Sequence, residues 1–211
     1  KIDLLDIDVE GADLKVLESL PIILLTNSDE FLGYDTIGND SKGGMVLALE
    51  RLFEFGHRNI ALFMGGSMMS ADSSWRLQIM KDFCSNRNMF FSEDLCIKCD
   101  MSVSSLDSFS QARTAMRKFL SKNTLATAIF ASNDILALAA LHVANEKGIK
   151  VPDELSIIGM DGILSGEISY PTLTTVEKNR LQIGSLAAKS LIEKIETPVE
   201  WQTKKIILPC K

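Results

Sequence analysis

The chain has 211 residues, 46% hydrophobic and 24% charged, enough for one large domain or two small lobes around a buried core, and no apolar run approaches the length of a membrane span. A formal net charge of −6 and a pI near 5.0 exclude a grip on a polyanion by bulk electrostatics, so any nucleic acid must be held by another part of the protein. Four cysteines, Cys84, Cys96, Cys99 and Cys210, are too few for a disulfide scaffold at this length, and with no secretory leader visible a reducing cytoplasm is the expected compartment.

The sequence opens directly in a strand-like run, KIDLLDID at 1–8, with no cap or lead-in, as a cut chain would. Asp13 to Leu20 predicts a short helix with Leu14, Leu17 and Leu20 on one face, and Pro21 introduces a strand at Ile22 to Leu25. Asn27, Ser28 and Asp29 form a turn, Phe31 to Asp40 reads as loop with a small strand, and Ser41 to Gly44 opens a helix that Gly56 stops after Phe55. His57 then stands at a helix C-terminus, where a cation meets the helix dipole favourably, so a capping role is preferred to catalysis.

Ile60 to Met64 is a strand ending in Gly65-Gly66; without the Lys-Ser/Thr of a Walker loop or a GxGxxG pattern, this reads as a turn. Asp72, Ser73 and Ser74 offer N-caps for a helix from Trp75 to Asn86, which places Arg76 in the first turn. A cation opposes the dipole there, so Arg76 is expected to be held by a partner such as Asp100 or by a ligand's hydroxyls or carboxylate.

Leu95 to Lys98 is a strand running out to Asp100. Cys96 and Cys99 have the spacing of a zinc knuckle or redox pair, but positions three apart on a strand point to opposite faces and no second pair completes four ligands. No metal and no cofactor are expected. After the Ser- and Asp-rich loop Ser102 to Ser110 and the helix Gln111 to Leu120 comes TAIFASND at 127–134, around which the chain is organised. Its apolar run, Ala128 to Ala131, stops at Ser132, Asn133 and Asp134, and a helical pattern follows from Ile135 to Lys147, with His142 read as core or interface. Leu155 to Gly159 ends similarly at Asp161. Ile163 to Pro171 reads as an irregular lid or hinge loop, Leu181 to Ile195 as an amphipathic helix and Ile206 to Leu208 as a last strand.

Strand and helix units of this length predict right-handed crossovers between parallel strands, a doubly wound α/β layer from about Gly43 to Thr175. Ligands of such sheets sit beyond the carboxyl ends of the strands, where Asn133 and Asp161 fall. Each also has a plain structural role open to it, Asn133 as a helix cap and Asp161 as a turn residue, and Asp134 is expected to cap its helix.

The segments FEFGHRNIALFMGG, SSWRLQIM, TAIFASNDILALAAL, ANEKGIKVPDELSIIGMDG and YPTLTTVEKN resemble, in order and spacing, the effector-binding core of the LacI/GalR family of bacterial transcription regulators, from about Ile2 to the end. The resemblance implies a two-lobed, periplasmic-binding-protein-like α/β fold of type I with the effector in the cleft. The first lobe would comprise 1–39 and 177–202, truncated at its beginning, and the second 40–176 and 203–211. It also implies a small polar effector such as a sugar or sugar derivative, operator DNA bound through a helix-turn-helix domain absent from this chain, a homodimer, and no catalysis. By the resemblance Arg76, Asn133 and Asp161 contact the effector, with Asp72 and Asp100 near further contacts; carboxylate and amide oxygens accept from vicinal hydroxyls and a guanidinium donates to them. Met101 and Met160 depart from the pattern, standing where the family often places aromatics, which puts a flat sugar-stacking platform in doubt.

Two alternatives compete. An exported sugar-binding protein would share the fold, and upstream sequence, a helix-turn-helix or a leader peptide, decides between them. Asp6-Ile7-Asp8 also resembles the Asp-x-Asp of haloacid-dehalogenase-like phosphatases, with Gly159-Met160-Asp161-Gly162 as an acidic metal-binding loop; a magnesium-dependent phosphatase assay on Asp6→Asn tests that reading.

Overall fold

The apolar runs become strands and the periodic stretches between them become helices. The computed structural model describes residues 21–26, 31, 33–65, 71–99, 105–122, 124–198 and 201–211, with the backbone alone at 71–73 and 105–107. The order is β1 (Thr36–Asn39), α1 (Ser41–Glu54), β2 (Ile60–Gly65), α2 (Ala71–Asn86), a 3-10 turn (Glu93–Leu95), β3 (Cys96–Cys99), α3 (Ser105–Leu120), β4 (Ala128–Ala131), α4 (Asp134–Glu146), β5 (Ser156–Asp161), α5 (Leu164–Glu167), β6 (Thr174–Glu177), α6 (Arg180–Glu196) and β7 (Lys205–Leu208). The expected strand-like run at 1–8, the helix at 13–20 and the Asp6/Asp8 pair lie outside the described residues.

Two units divide the chain: one of 40–178 with 209–211, the other of residues up to 39 with 179–208. This differs from the sequence reading, which put 203–211 with the second lobe. Lys205–Leu208 instead pair in parallel with Thr36–Asn39, and only the last three residues join the larger unit. The other division moves past Lys178, because β6 carries Glu177 alongside Asp161 of β5.

In the larger unit the strands lie in the order β3-β2-β4-β5-β6, all parallel. Their side chains alternate between two cores. Ile60, Leu62, Met64, Phe130, Ile158 and Met160 pack with residues of α1 and α2. Ala61, Phe63, Ile129, Ala131 and Ile157 pack with residues of α3 and α4. A strand buried on both faces has no polar side to show, which is why these stretches read as unbroken apolar runs. Met160 is 1% exposed, so this departure from the family pattern changes core packing and not a ligand-facing surface; Met101 lies outside the described residues.

At the amino end of the sheet, His57 ties two strand starts together. Its Nδ1 is 2.9 Å from Thr127 Oγ1 and its Nε2 3.0 Å from Ser156 Oγ, and burial pushes its pKa down, favouring the neutral ring. The expected cation at the end of α1 is therefore not His57. Arg58 takes that role, donating to Phe53 O at 3.0 Å with its guanidinium 3.8 Å from the Phe53 ring centroid. His142 is likewise not a core residue: its side chain is exposed, 2.9 Å from Glu146 Oε1, on a carboxylate that also accepts from Arg113 and Arg117 of α3. Desolvation acts to raise the Glu146 pKa, but the hydrogen bonds from Arg117, Arg113 and His142 bring it below its ordinary value.

Cys99 is buried in the α3 and α4 core, whereas Cys96 is half-buried with its thiol pKa pushed up by burial. Both are free thiols, and among the described residues no group of three or more His, Cys, Asp or Glu is placed to hold a metal ion.

The smaller unit is built on Asp35, 2% exposed, which accepts from Lys194 Nζ at 2.5 Å, from Trp201 Nε1 at 3.0 Å and from Lys204 N at 2.7 Å. Lys194 also donates to Ile22 O at 3.2 Å, so one ion pair joins the edge of β1, α6 and the segment before β7. Burial opposes the charged carboxylate, but these donors outweigh it and its pKa lies below the ordinary value.

Candidate functional site

Three strands of the larger unit end side by side. β2 ends at Gly65, β4 at Ala131 and β5 at Asp161, and β4 pairs with both of the others. At a spacing of about 4.8 Å per strand, the outer two ends lie roughly 10 Å apart, the scale of a sugar ring with its substituents. Beyond these ends the chain carries Arg76 on α2, Asn133 at the start of α4, and Asp161 itself.

Asn133 is in extended conformation, and its Oδ1 accepts from Leu136 N at 2.9 Å, making it the N-cap of α4. Its structural role is therefore realised, and any ligand contact is made by an amide already oriented by that cap. Asp134, expected as the cap, is instead the first helical residue and is 0% exposed. Its Oδ1 accepts the Thr175 hydroxyl at 2.5 Å and its Oδ2 accepts Ile163 N at 2.8 Å, so one carboxylate links α4, the turn after β5, and β6. Gly159 makes room for it: a Cβ there would stand 2.2 Å from Asp134 Oδ1.

Asp161 closes β5 with φ at 137°, a conformation costly for a residue with a side chain, and Gly162 follows at φ 70°. The turn is held on both sides, by Ile163 N on Asp134 and by Gly162 N donating to Thr175 Oγ1 at 3.3 Å. A side chain at Gly162 would meet Glu177 Cα at 3.1 Å. The Asp161 carboxylate lies 2.7 Å from Lys178 Nζ, each side chain 26% exposed, and Lys178 N donates to the Asp161 carbonyl at 3.3 Å. Sequence reasoning missed Lys178; the signal available was its position just past β6, one strand over from Asp161.

Arg76 stands differently from its expectation. α2 begins at Ala71, not near Trp75, so Arg76 is past the first turn, where the dipole penalty has largely fallen off. Its guanidinium lies 4.5 Å from the Trp75 ring centroid. The Asp72 side chain and all of Asp100, the proposed partner, lie outside the described residues, as does Gly66. The segment after β5, expected as an irregular loop, contains the short helix α5, with Ser169 Oγ donating to Gly166 O at 2.8 Å.

The described groups are suited to holding a polar molecule: a carboxylate that accepts, a guanidinium and an ammonium that donate, and an amide that does both.

Residues 49–211 match the family model for the periplasmic binding protein-like domain. The chain is 33% identical over 168 residues to the HTH-type transcriptional regulator DegA of Bacillus subtilis (strain 168), covering 80% of this chain and 48% of the relative. It is 29% identical over 182 residues to the HTH-type transcriptional repressor PurR of Histophilus somni (strain 129Pt), covering 86% of this chain and 53% of the relative. The chain thus spans about half the length of the curated relatives it matches. Among solved structures it is similar to a LacI family transcriptional regulator from Enterococcus faecium with bound ribose, with a TM-score of 0.77, 26% identity, and coverage of 94% of this chain and 70% of that one.

Proposed function

The chain belongs to the periplasmic binding protein-like domain family as found in LacI-type transcriptional regulators, and from that premise we propose that it is the effector-binding core of such a regulator. Its effector is a small polar molecule, a sugar or related compound, held over the carboxyl ends of β2, β4 and β5 by Arg76, Asn133 and Asp161, with Asp72 and Asp100 as further contacts. The observation that carries this is the convergence of the three strand ends at one rim, each followed by a hydrogen-bonding side chain from a separate βα unit.

The protein acts in the cytoplasm, without catalysis. A ligand with unequal affinity for two conformations of the core shifts their populations, and a DNA-reading domain linked to it follows. It works as a homodimer. In support, Leu164, Ile168 and Tyr170 are 68%, 79% and 91% exposed on the segment around α5, apolar surface that a second copy would cover.

A thermal-shift screen with sugars, sugar phosphates and nucleobases identifies the effector, since a ligand that binds the folded form raises its Tm. Arg76→Ala, Asn133→Ala and Asp161→Ala are each expected to lose that shift. Unchanged affinity in all three, with the core intact, overturns the assignment.

A further inference from the structure

We propose that Trp75 is a positioning residue of the ligand site: its indole face fixes the Arg76 guanidinium, so that the arginine's donors meet the oxygens of a polar guest already ordered. The inference rests on the ligand-site reading above and deepens it.

Arg76 Cζ lies 4.5 Å from the Trp75 ring centroid, inside the range at which the face of a ring attracts a cation. The ring is itself held. Trp75, Ile79, Met80, Phe83 and Cys84 recur at helical spacing along α2 and belong to one core, on the α1 side of the sheet. A ring packed against a close-packed core has little freedom of its own. Arg76, one position further round the helix, carries a long side chain with many rotamers, and its Nε is shielded from water. Stacking on a fixed ring removes much of that freedom before any guest arrives, and an arginine that waits in its bound arrangement gives up less of the contact energy to ordering. The direction also suits. β2 and β3 are parallel, so α2 runs back from the carboxyl end of β2, and Arg76 stands about 7.5 Å along a helix that begins at Ala71. Side chains of a helix lean toward its amino end, which here is the carboxyl-end rim of the sheet.

The test combines NMR of the free protein with calorimetric titration of ribose, ribose 5-phosphate, glucose, glucose 6-phosphate and adenine as probes. In the free wild type, the Arg76 Hδ and Nε–H protons are expected upfield of their random-coil positions, as protons over an aromatic face are. Trp75→Phe keeps part of that shift and Trp75→Leu abolishes it. For the tightest-binding probe, Trp75→Leu is expected to weaken affinity about fivefold, while Trp75→Phe, which keeps a ring face, stays within about twofold of wild type. Both substitutions shrink the packed side chain, so a role in packing alone would weaken the two alike; urea melts compare their stability. Arg76 protons unmoved by the ring in wild type, or equal affinity in Trp75→Leu and Trp75→Phe, overturn the inference. Affinity lost in Arg76→Ala but unchanged in Trp75→Leu leaves the ligand-site reading standing and removes this inference alone. Wild-type affinity in Arg76→Ala takes Arg76 out of the ligand site and this inference with it; if no probe binds, both fall.

Discussion

The Thr175 hydroxyl donates to the buried Asp134 carboxylate at 2.5 Å, across 41 residues of sequence, and this contact fixes the turn that presents Asp161. Removing the fully buried carboxylate leaves the half-buried Thr175 hydroxyl and Ile163 N without their acceptor. Asp134→Ala is expected to cost roughly 3 kcal/mol in urea denaturation, since each buried unsatisfied group costs about 1–3 kcal/mol. Gly159→Ala should also destabilise, because its Cβ would overlap the same oxygen. A loss below about 1 kcal/mol for Asp134→Ala would show the link to be dispensable.

Asp35 supports the smaller unit in a similar way. Asp35→Asn leaves the Lys194 ammonium partly buried opposite a neutral amide, and breaking one side of such a pair costs about 3–5 kcal/mol. The carboxylate's pKa lies below its ordinary 3.8 in the folded chain, so its contribution is full above that value and is lost as pH falls through the lowered folded pKa. Acid titration of stability in wild type and Asp35→Asn should converge at low pH; parallel curves would contradict the assignment.

His57 gives the opposite part of the sheet its own pH dependence. Its folded pKa is below the ordinary 6.5, so between those two values the unfolded chain binds the extra proton. Stability from the neutral ring is full above about 6.5 and declines as pH drops toward the folded pKa. The difference in urea stability between wild type and His57→Gln should shrink as the pH is lowered from 7.5 to 5.5. A difference independent of pH would mean that the ring does not titrate in this window.

Asn133 carries a cap and, in the proposal above, a ligand contact, and two substitutions separate them. Asn133→Ala should cost about 1 kcal/mol of stability, and Asn133→Ser should keep most of it because a hydroxyl caps nearly as well. Both should lose effector affinity, since neither retains an amide. Wild-type affinity in a stable Asn133→Ser protein would leave the residue as a cap only.

The exposed Ile168 and Tyr170 lead to a measurement of assembly. Sedimentation should show a concentration-dependent dimer that Ile168→Asp or Tyr170→Asp converts to monomer with little change in urea stability of the monomer, because both side chains are exposed. A wild-type monomer at all concentrations would remove the homodimer from the proposal.

Sequence alone determined the parallel α/β layer of the larger unit. Two-sided burial leaves a continuous apolar run, and the residues that end such runs, Asn133 and Asp161 among them, mark the carboxyl-end rim of the sheet without any knowledge of distance. Helix ends were less legible, because capping depends on which nearby oxygen wins: Asn133 took the cap expected of Asp134, and Arg58 the helix-end role expected of His57. Only the tertiary structure could decide the contacts between residues far apart in sequence. The Lys178 ammonium on Asp161, the Thr175 hydroxyl on Asp134 and the pairing of Lys205–Leu208 with β1 follow from strand order, and strand order is set by how the helices pack over the sheet, which no local pattern of residues records.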